Sequence, residues 1–307
     1  MPTRTHGHKK RGRQTMQMSI ADDRRSDAAP LIATASLLAA VTAWTYWSTI
    51  MDLFKEWQTN EDYSAGQLVP LVAAFLVWRE WKTLRQCVVK PAWLAGGILL
   101  LLALAARTYG LRFMFESGER YSFILAIAAL VLMVAGWQVF RRLIWVLLIL
   151  LLMVPFPGKI HNMISGPLQR MASNGSVFLL EAFGVRVSQQ GNVVTLDGRI
   201  PMAVAEACSG LRMLTAFIIV AAFIAYMVKR PPWQKATLFL SSIPVAVICN
   251  ILRLTVTAFL FMIASSEVAE KFFHDFAGIV MMPAAVLLMF GELWLMDILT
   301  VSDENPR

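Results

Sequence analysis

Charge is scarce in this chain. Asp, Glu, Lys and Arg make up 16% of the 307 residues, against 57% hydrophobic residues and a mean hydropathy of +0.59. A soluble protein of this length could bury a large core, but it would carry more charge. Cysteine is scarce too. Cys87, Cys208 and Cys249 are too few for a disulfide framework, and none stands in a CxxC or Cys/His cluster, which argues against structural zinc. No internal repeat is evident. The net charge of +8 is not a nucleic-acid footprint, because seven of the 28 basic residues crowd the first 25 positions and the rest are scattered at helix ends. A basic tail ahead of a first apolar run is a topology signal. Met1–Asp27 is polar and predicted to be disordered.

What the chain does have is long apolar runs. Leu31–Met51, Trp93–Ala106, Tyr121–Val139, Leu143–Phe156, Leu211–Val228, Ala236–Ile263 and Phe276–Leu299 are nearly free of charge, and Gly66–Trp78 is a shorter one. A spanning helix needs about 20 mostly apolar residues, which most of these supply with their flanks. The first run is long for a signal-peptide core and reads as a retained helix. With the N-terminus in the cytoplasm, the compact basic loops Arg79–Pro91, Arg141-Arg142 and Lys229–Lys235 alternate with acidic or mixed ones, Asp52–Ala65, Arg107–Arg120 and Ser265–Lys271. That is the positive-inside pattern. The fold class predicted is an all-α polytopic membrane protein of about eight transmembrane helices with both termini cytoplasmic. Residues 1–28 form its basic tail, 29–300 the membrane domain and 301–307 a short cytoplasmic end.

Residues 160–204 form a long outer-face segment. Ile160–Phe183 has the apolar spacing of an interfacial amphipathic helix. In Gly184–Val204 the period shifts, with Val185, Val187, Val193, Thr195 and Ile200 beside the turn signals Gln190-Gly191-Asn192 and Asp197-Gly198. A small antiparallel β element is expected there, ahead of helix six.

Ionisable groups inside membrane segments are costly and mark function. Three polar motifs fall late in the chain. Glu206-Ala207-Cys208-Ser209-Gly210-Leu211-Arg212 opens the sixth helix. A thiol at a helix N-terminus, with Arg212 one turn on, sits where the dipole and a cation favour the thiolate. Taken alone, Cys208 is more often a small inert core residue. Cys249-Asn250-Ile251-Leu252-Arg253 lies in the seventh helix, with Arg253 about 26 Å along it and Asn250 on the same face. Arg253 is either a snorkelling interfacial arginine or a cation turned into the bundle, and the apolar continuation to Ile263 favours the second. Cys249 reads as core. His274-Asp275-Phe276-Ala277-Gly278 opens the eighth helix, with small Gly278 one turn from an imidazole suited to proton transfer. His161 competes with His274, but its place in the amphipathic segment assigns it to the surface. Topology counting puts Cys208, Arg253 and His274 at one membrane face on three consecutive helices. A thiolate to attack a carbonyl, an imidazole to move protons and a guanidinium to hold an oxyanion together perform acyl transfer.

These three runs, in this order, resemble the exosortase/archaeosortase family. Asp62-Tyr63-Ser64-Ala65-Gly66-Gln67-Leu68-Val69-Pro70 resembles its early Tyr-Ser-His-Gly-Phe-Leu-Val-Pro motif, with Ala65 in place of the family's His and Gln67 in place of its Phe. The resemblance covers roughly Trp57 to Leu299. It implies a multipass cysteine protease/transpeptidase in the cell inner membrane, without cofactor or metal and with its active site on the periplasmic face. Its partners would be exported proteins bearing a PEP-CTERM-type signal, which is a short motif, a transmembrane helix and a basic tail. Catalysis would fall to Cys208, Arg253 and His274. Tyr63, Glu206, Ser209, Gly210, Arg212, Asn250, Asp275 and Gly278 would support them or bind substrate. Two other readings compete. A transporter or scaffold for exported polysaccharide or protein needs polar residues along a transmembrane path, whereas here they gather at one face. An intramembrane serine protease would use Ser209, which is more simply a helix-entry residue.

Overall fold

The computed structural model describes residues 33–191, 193–196, 200–203, 210–263 and 277–300. Helix α1 (Ala33–Thr45) runs almost directly into α2 (Trp47–Thr59), the Tyr46 amide donating to Thr42 O and the Ile50 amide to Tyr46 O at 2.9 Å each. The sequence places a loop from Asp52; the helix instead continues to Thr59 because Leu53 is buried against Val69 and Leu76, which repays the extra turns. Asn60 ends α2 and caps the next element, its side chain accepting the Asp62 amide at 3.1 Å. A 3-10 turn, Glu61–Gln67, then leads into α3 (Leu68–Leu84), the short second run lengthened by a polar last turn.

Helices α4 (Trp93–Arg112) and α5 (Glu116–Leu150) follow. Helix α5 is two helices joined at Gly136, whose φ of 80° and ψ of −175° are not helical. Arg120, near the start of α5, reaches Glu56 at 3.3 Å. Met153, just past its end, accepts the Trp57 indole N–H at 3.0 Å. Residues 120 and 153 of a straight helix would stand about 50 Å apart, yet they contact neighbouring residues of α2. The chain therefore reverses at Gly136, giving two antiparallel helical segments. The turn lies there and not at Arg141-Arg142, which are helical. A β-carbon at 136 would stand 1.8 Å from Lys90 O, so glycine alone allows both the conformation and the close approach of the preceding loop.

Helix α6 (Gly158–Ala182) matches the amphipathic segment. Strands β1 (Val187–Gln190), β2 (Val193–Leu196) and β3 (Ile200–Ala203) make the expected antiparallel sheet in the order β1-β2-β3, with Val187 opposite Leu196 and Val194 opposite Met202. Helices α7 (Leu211–Met227), α8 (Pro232–Ile263) and α9 (Ala277–Thr300) complete the fold. One core joins α7, α8 and α9 around Phe217, Leu238 and Met289. A second packs α3 and α5 on α7, and a third seats α6 and the sheet on Leu254 and Ala258 of α8.

This is an all-α membrane protein with a small sheet. Among the described residues, α4, α5 with its 3-10 extension to Met153, and α8 are long and apolar enough to cross a bilayer; α1 and α7 are shorter apolar helices. Large apolar side chains point outward from many helices, including Trp44 at 85%, Leu94 at 81% and Trp294 at 66% exposure. Water would not tolerate so much apolar surface, and lipid does.

Acidic and mixed loops meet at one end of the bundle, where Glu56 pairs with Arg120, Glu61 with Arg212, and Thr49 with Glu119. Basic loops meet at the other, where Glu80 bonds Tyr226 and Arg230 pairs with Asp297. Helices α3 and α7, 17 residues each, hold those ends about 25 Å apart.

Candidate active site

The first described residue of the thiol motif is Gly210. Its φ of 68° and ψ of −21° place it in the left-handed region as the residue that starts α7. A β-carbon there would stand 3.1 Å from Asn250 Nδ2 and 3.3 Å from Leu168 Cβ. Glycine is thus required twice, by conformation and by space. The contact joins the Cys-Ser-Gly motif to the Asn-Ile-Leu-Arg motif of α8, two residues from Cys208 in the chain.

Asn250 is 2% exposed, and its Oδ1 has no hydrogen-bond partner among the described residues. Arg253 is 7% exposed, one turn further along the same face of α8, and Thr257 is fully buried one turn beyond that. Burial settles the choice between snorkelling and inward-facing arginine in favour of the second. Cys249 is buried in the apolar core, as expected. Glu206, Cys208, Ser209, His274 and Asp275 lie outside the described residues, so the meeting of thiol, guanidinium and imidazole is untouched by this geometry. Gly278 is the second residue of α9.

Arg212 binds the 3-10 turn. It donates Nε–H to Glu61 O at 2.8 Å and pairs with the Glu61 carboxylate, so its charge is engaged by the 3-10 turn. Thr215, on the next turn of α7, donates to Asp62 O at 3.1 Å. These bonds fasten the early Asp62-Tyr63-Ser64 motif to the first turn of the thiol helix. Neither partner could be read from the sequence, since about 150 residues separate them.

His161 corrects the surface assignment. Its Nδ1 lies 2.9 Å from the Tyr63 hydroxyl, its Nε2 lies 3.7 Å from Asp62 Oδ2, and its side chain is 23% exposed. Tyr63 is 7% exposed. Burial pushes its phenol up to about 12; the Phe156 backbone amide opposes this and the Asp62 charge adds to it. Ala65, where the resembling motif has histidine, is buried against α3 and α5. An imidazole thus arrives beside Tyr63 from α6 instead. The only hint in the sequence was a histidine on an otherwise apolar helix face.

A cavity of about 590 Å³ opens beside these groups. Its walls are mostly apolar, and include Tyr63, Tyr121, Phe156, Leu168, Leu214 and Thr215. Leu168 also lies beside Gly210, where a β-carbon would stand 3.3 Å from its Cβ, so the cavity adjoins the start of the thiol helix.

Residues 57–291 match the family described as transmembrane exosortase (Exosortase_EpsH). This chain belongs to that family. The match takes in the 3-10 turn, α6, the sheet, α7, α8 and most of α9, which is every element that builds the site. No curated protein and no solved structure shows a significant match to this exosortase.

Proposed function

We propose that this exosortase is a membrane cysteine protease/transpeptidase that cleaves C-terminal sorting signals of exported proteins. The Cys208 thiolate attacks the scissile carbonyl carbon, the amine departs with a proton from His274, and a thioacyl-enzyme remains. Arg253 stabilises the oxyanion or holds the substrate's carbonyl region. An acceptor, water or an amine, then takes the acyl group and returns the thiolate. The substrates are exported proteins with a short motif, an apolar helix and a basic tail, presented laterally from the lipid.

One observation supports this reading most strongly. Gly210, two residues from Cys208 in the chain, stands close beside Asn250 on a buried polar face of α8 that also carries Arg253. A cation held away from solvent has the greatest effect on a developing negative charge. The acidic end of the bundle, where this contact lies, is the periplasmic one in this reading. Eight spans then leave both termini in the cytoplasm.

The test is processing of a tagged exported protein of this type in cells carrying Cys208→Ala or Cys208→Ser enzyme. The product should vanish while the protein still inserts. Unchanged processing removes the nucleophile assignment. Mass spectrometry of the wild-type product locates the cut and identifies the acceptor.

A further inference from the structure

Asp62, Tyr63 and His161 form a linked set that acyl transfer by Cys208, Arg253 and His274 does not use. Two of them come from the 3-10 turn and the third from α6, 98 residues after Tyr63. The direction of their protons follows from chemistry. A buried phenol that keeps its proton well above neutral pH is the donor in its 2.9 Å contact, so His161 Nδ1 accepts. The ring proton of the neutral imidazole then sits on Nε2, facing Asp62 Oδ2 at 3.7 Å. A carboxylate stands near the imidazole, and the imidazole accepts from a hydroxyl.

The hydroxyl belongs to a residue that lines the 590 Å³ cavity. Most of that wall is apolar, so the phenol is one of its few polar groups. The same cavity is walled by Leu214 and Thr215 of the thiol helix and by Leu168, which lies beside Gly210. Bonds from Arg212 and Thr215 to the 3-10 turn hold Tyr63 at that end of α7.

We propose that Tyr63 and His161 relay a proton from the acyl acceptor in the second half of the reaction. The acceptor, water or an amine, gives its proton to the Tyr63 oxygen while Tyr63 passes its own to His161 Nδ1. The acceptor's lone pair forms the new bond to the thioester carbon. The carbon–sulfur bond breaks, and its electron pair returns to Cys208 as thiolate. The imidazolium faces Asp62 and later loses its proton to solvent, to which His161 is partly open. Tyr63 meets the acceptor, and His161 acts through Tyr63. His274 protonates the leaving amine and takes a proton back from solvent before the next turnover, so each half-reaction has its own imidazole. This rests on the thioester reading above and assigns the base of its second half-reaction, which that reading leaves unassigned.

The test uses the full-length enzyme in native membranes with the tagged exported substrate, and His161→Asn. Asparagine Oδ1 replaces Nδ1 as acceptor for Tyr63 but cannot take a proton. Release of the acyl group should slow about 100-fold, the usual scale for a lost general base. The cleaved C-terminal fragment should still appear once per enzyme, and an acyl adduct should accumulate on the Cys208 peptide by mass spectrometry. Hydroxylamine, a strong nucleophile already unprotonated at neutral pH, should discharge that adduct from the variant. Tyr63→Phe should behave the same way and keeps the ring if His161→Asn fails to insert. Wild-type turnover without adduct in either inserted variant overturns the relay. Loss of the first cleavage with no adduct overturns it too, because it moves His161 out of the second half-reaction. Failure of the thioester reading is separate: Cys208→Ala would then still process substrate.

Discussion

Gly210→Ala tests the junction on which the site depends. Two costs should add. A non-glycine residue at φ 68° pays roughly 1–2 kcal/mol for the left-handed conformation. The new methyl also meets Asn250 Nδ2 at 3.1 Å and Leu168 Cβ at 3.3 Å, and overpacking of this kind costs about 1–3 kcal/mol. Gly184 provides the control, since its φ is 83° and nothing lies within 4 Å of the position a β-carbon would take. Gly184→Ala should show the conformational cost alone. Thermal inactivation of both variants in membranes, read against wild type, separates the two terms. Asn250→Ala in the Gly210→Ala background should return part of the contact term and none of the conformational one. Processing should fall further in Gly210→Ala than stability alone explains, because displacing Asn250 disturbs the face that carries Arg253. If Gly210→Ala and Gly184→Ala are equally stable and equally active, the packed junction is not what positions this site.

Arg253→Lys should lower processing by about tenfold or more without loss of insertion, since lysine keeps the charge but not the planar fork; a product assay beside an immunoblot reads both. Gly136→Ala should prevent accumulation of folded protein, because its β-carbon would fall 1.8 Å from Lys90 O, a backbone atom; protease sensitivity of the membrane fraction reports it. Arg212→Met should cost only about 0.5–1 kcal/mol, its partner Glu61 being well exposed, yet should slow processing measurably by loosening the turn that holds Tyr63. In an enzyme lacking Cys87 and Cys208, Lys55→Cys should react with an impermeant maleimide from the periplasm and Gln86→Cys only after the inner membrane is opened; the reverse would invert the topology.

Much of this protein was written in local sequence. Apolar runs of span length require lipid wherever they lie, so the membrane class follows from composition alone. Periodicity is likewise local, and it marked α6 within two residues of its bounds and the stretch 184–204 that holds the sheet. The three polar motifs stand out because polar groups are costly in such surroundings. Loop charges grouped the segments that gather at each end. Long-range packing decided the rest. The reversal at Gly136 depends on the loop at Lys90 pressing on a residue with no side chain, whereas Arg141-Arg142 carried the visible turn signal. Helix α2 outruns its apolar stretch because Leu53 finds a pocket built by α3. Arg212 meets Glu61 because the 3-10 turn docks there. His161 leaves the surface for Tyr63 by the same rule, since a side chain's partner across about 100 residues is set by how helices stack and not by any pattern along the chain.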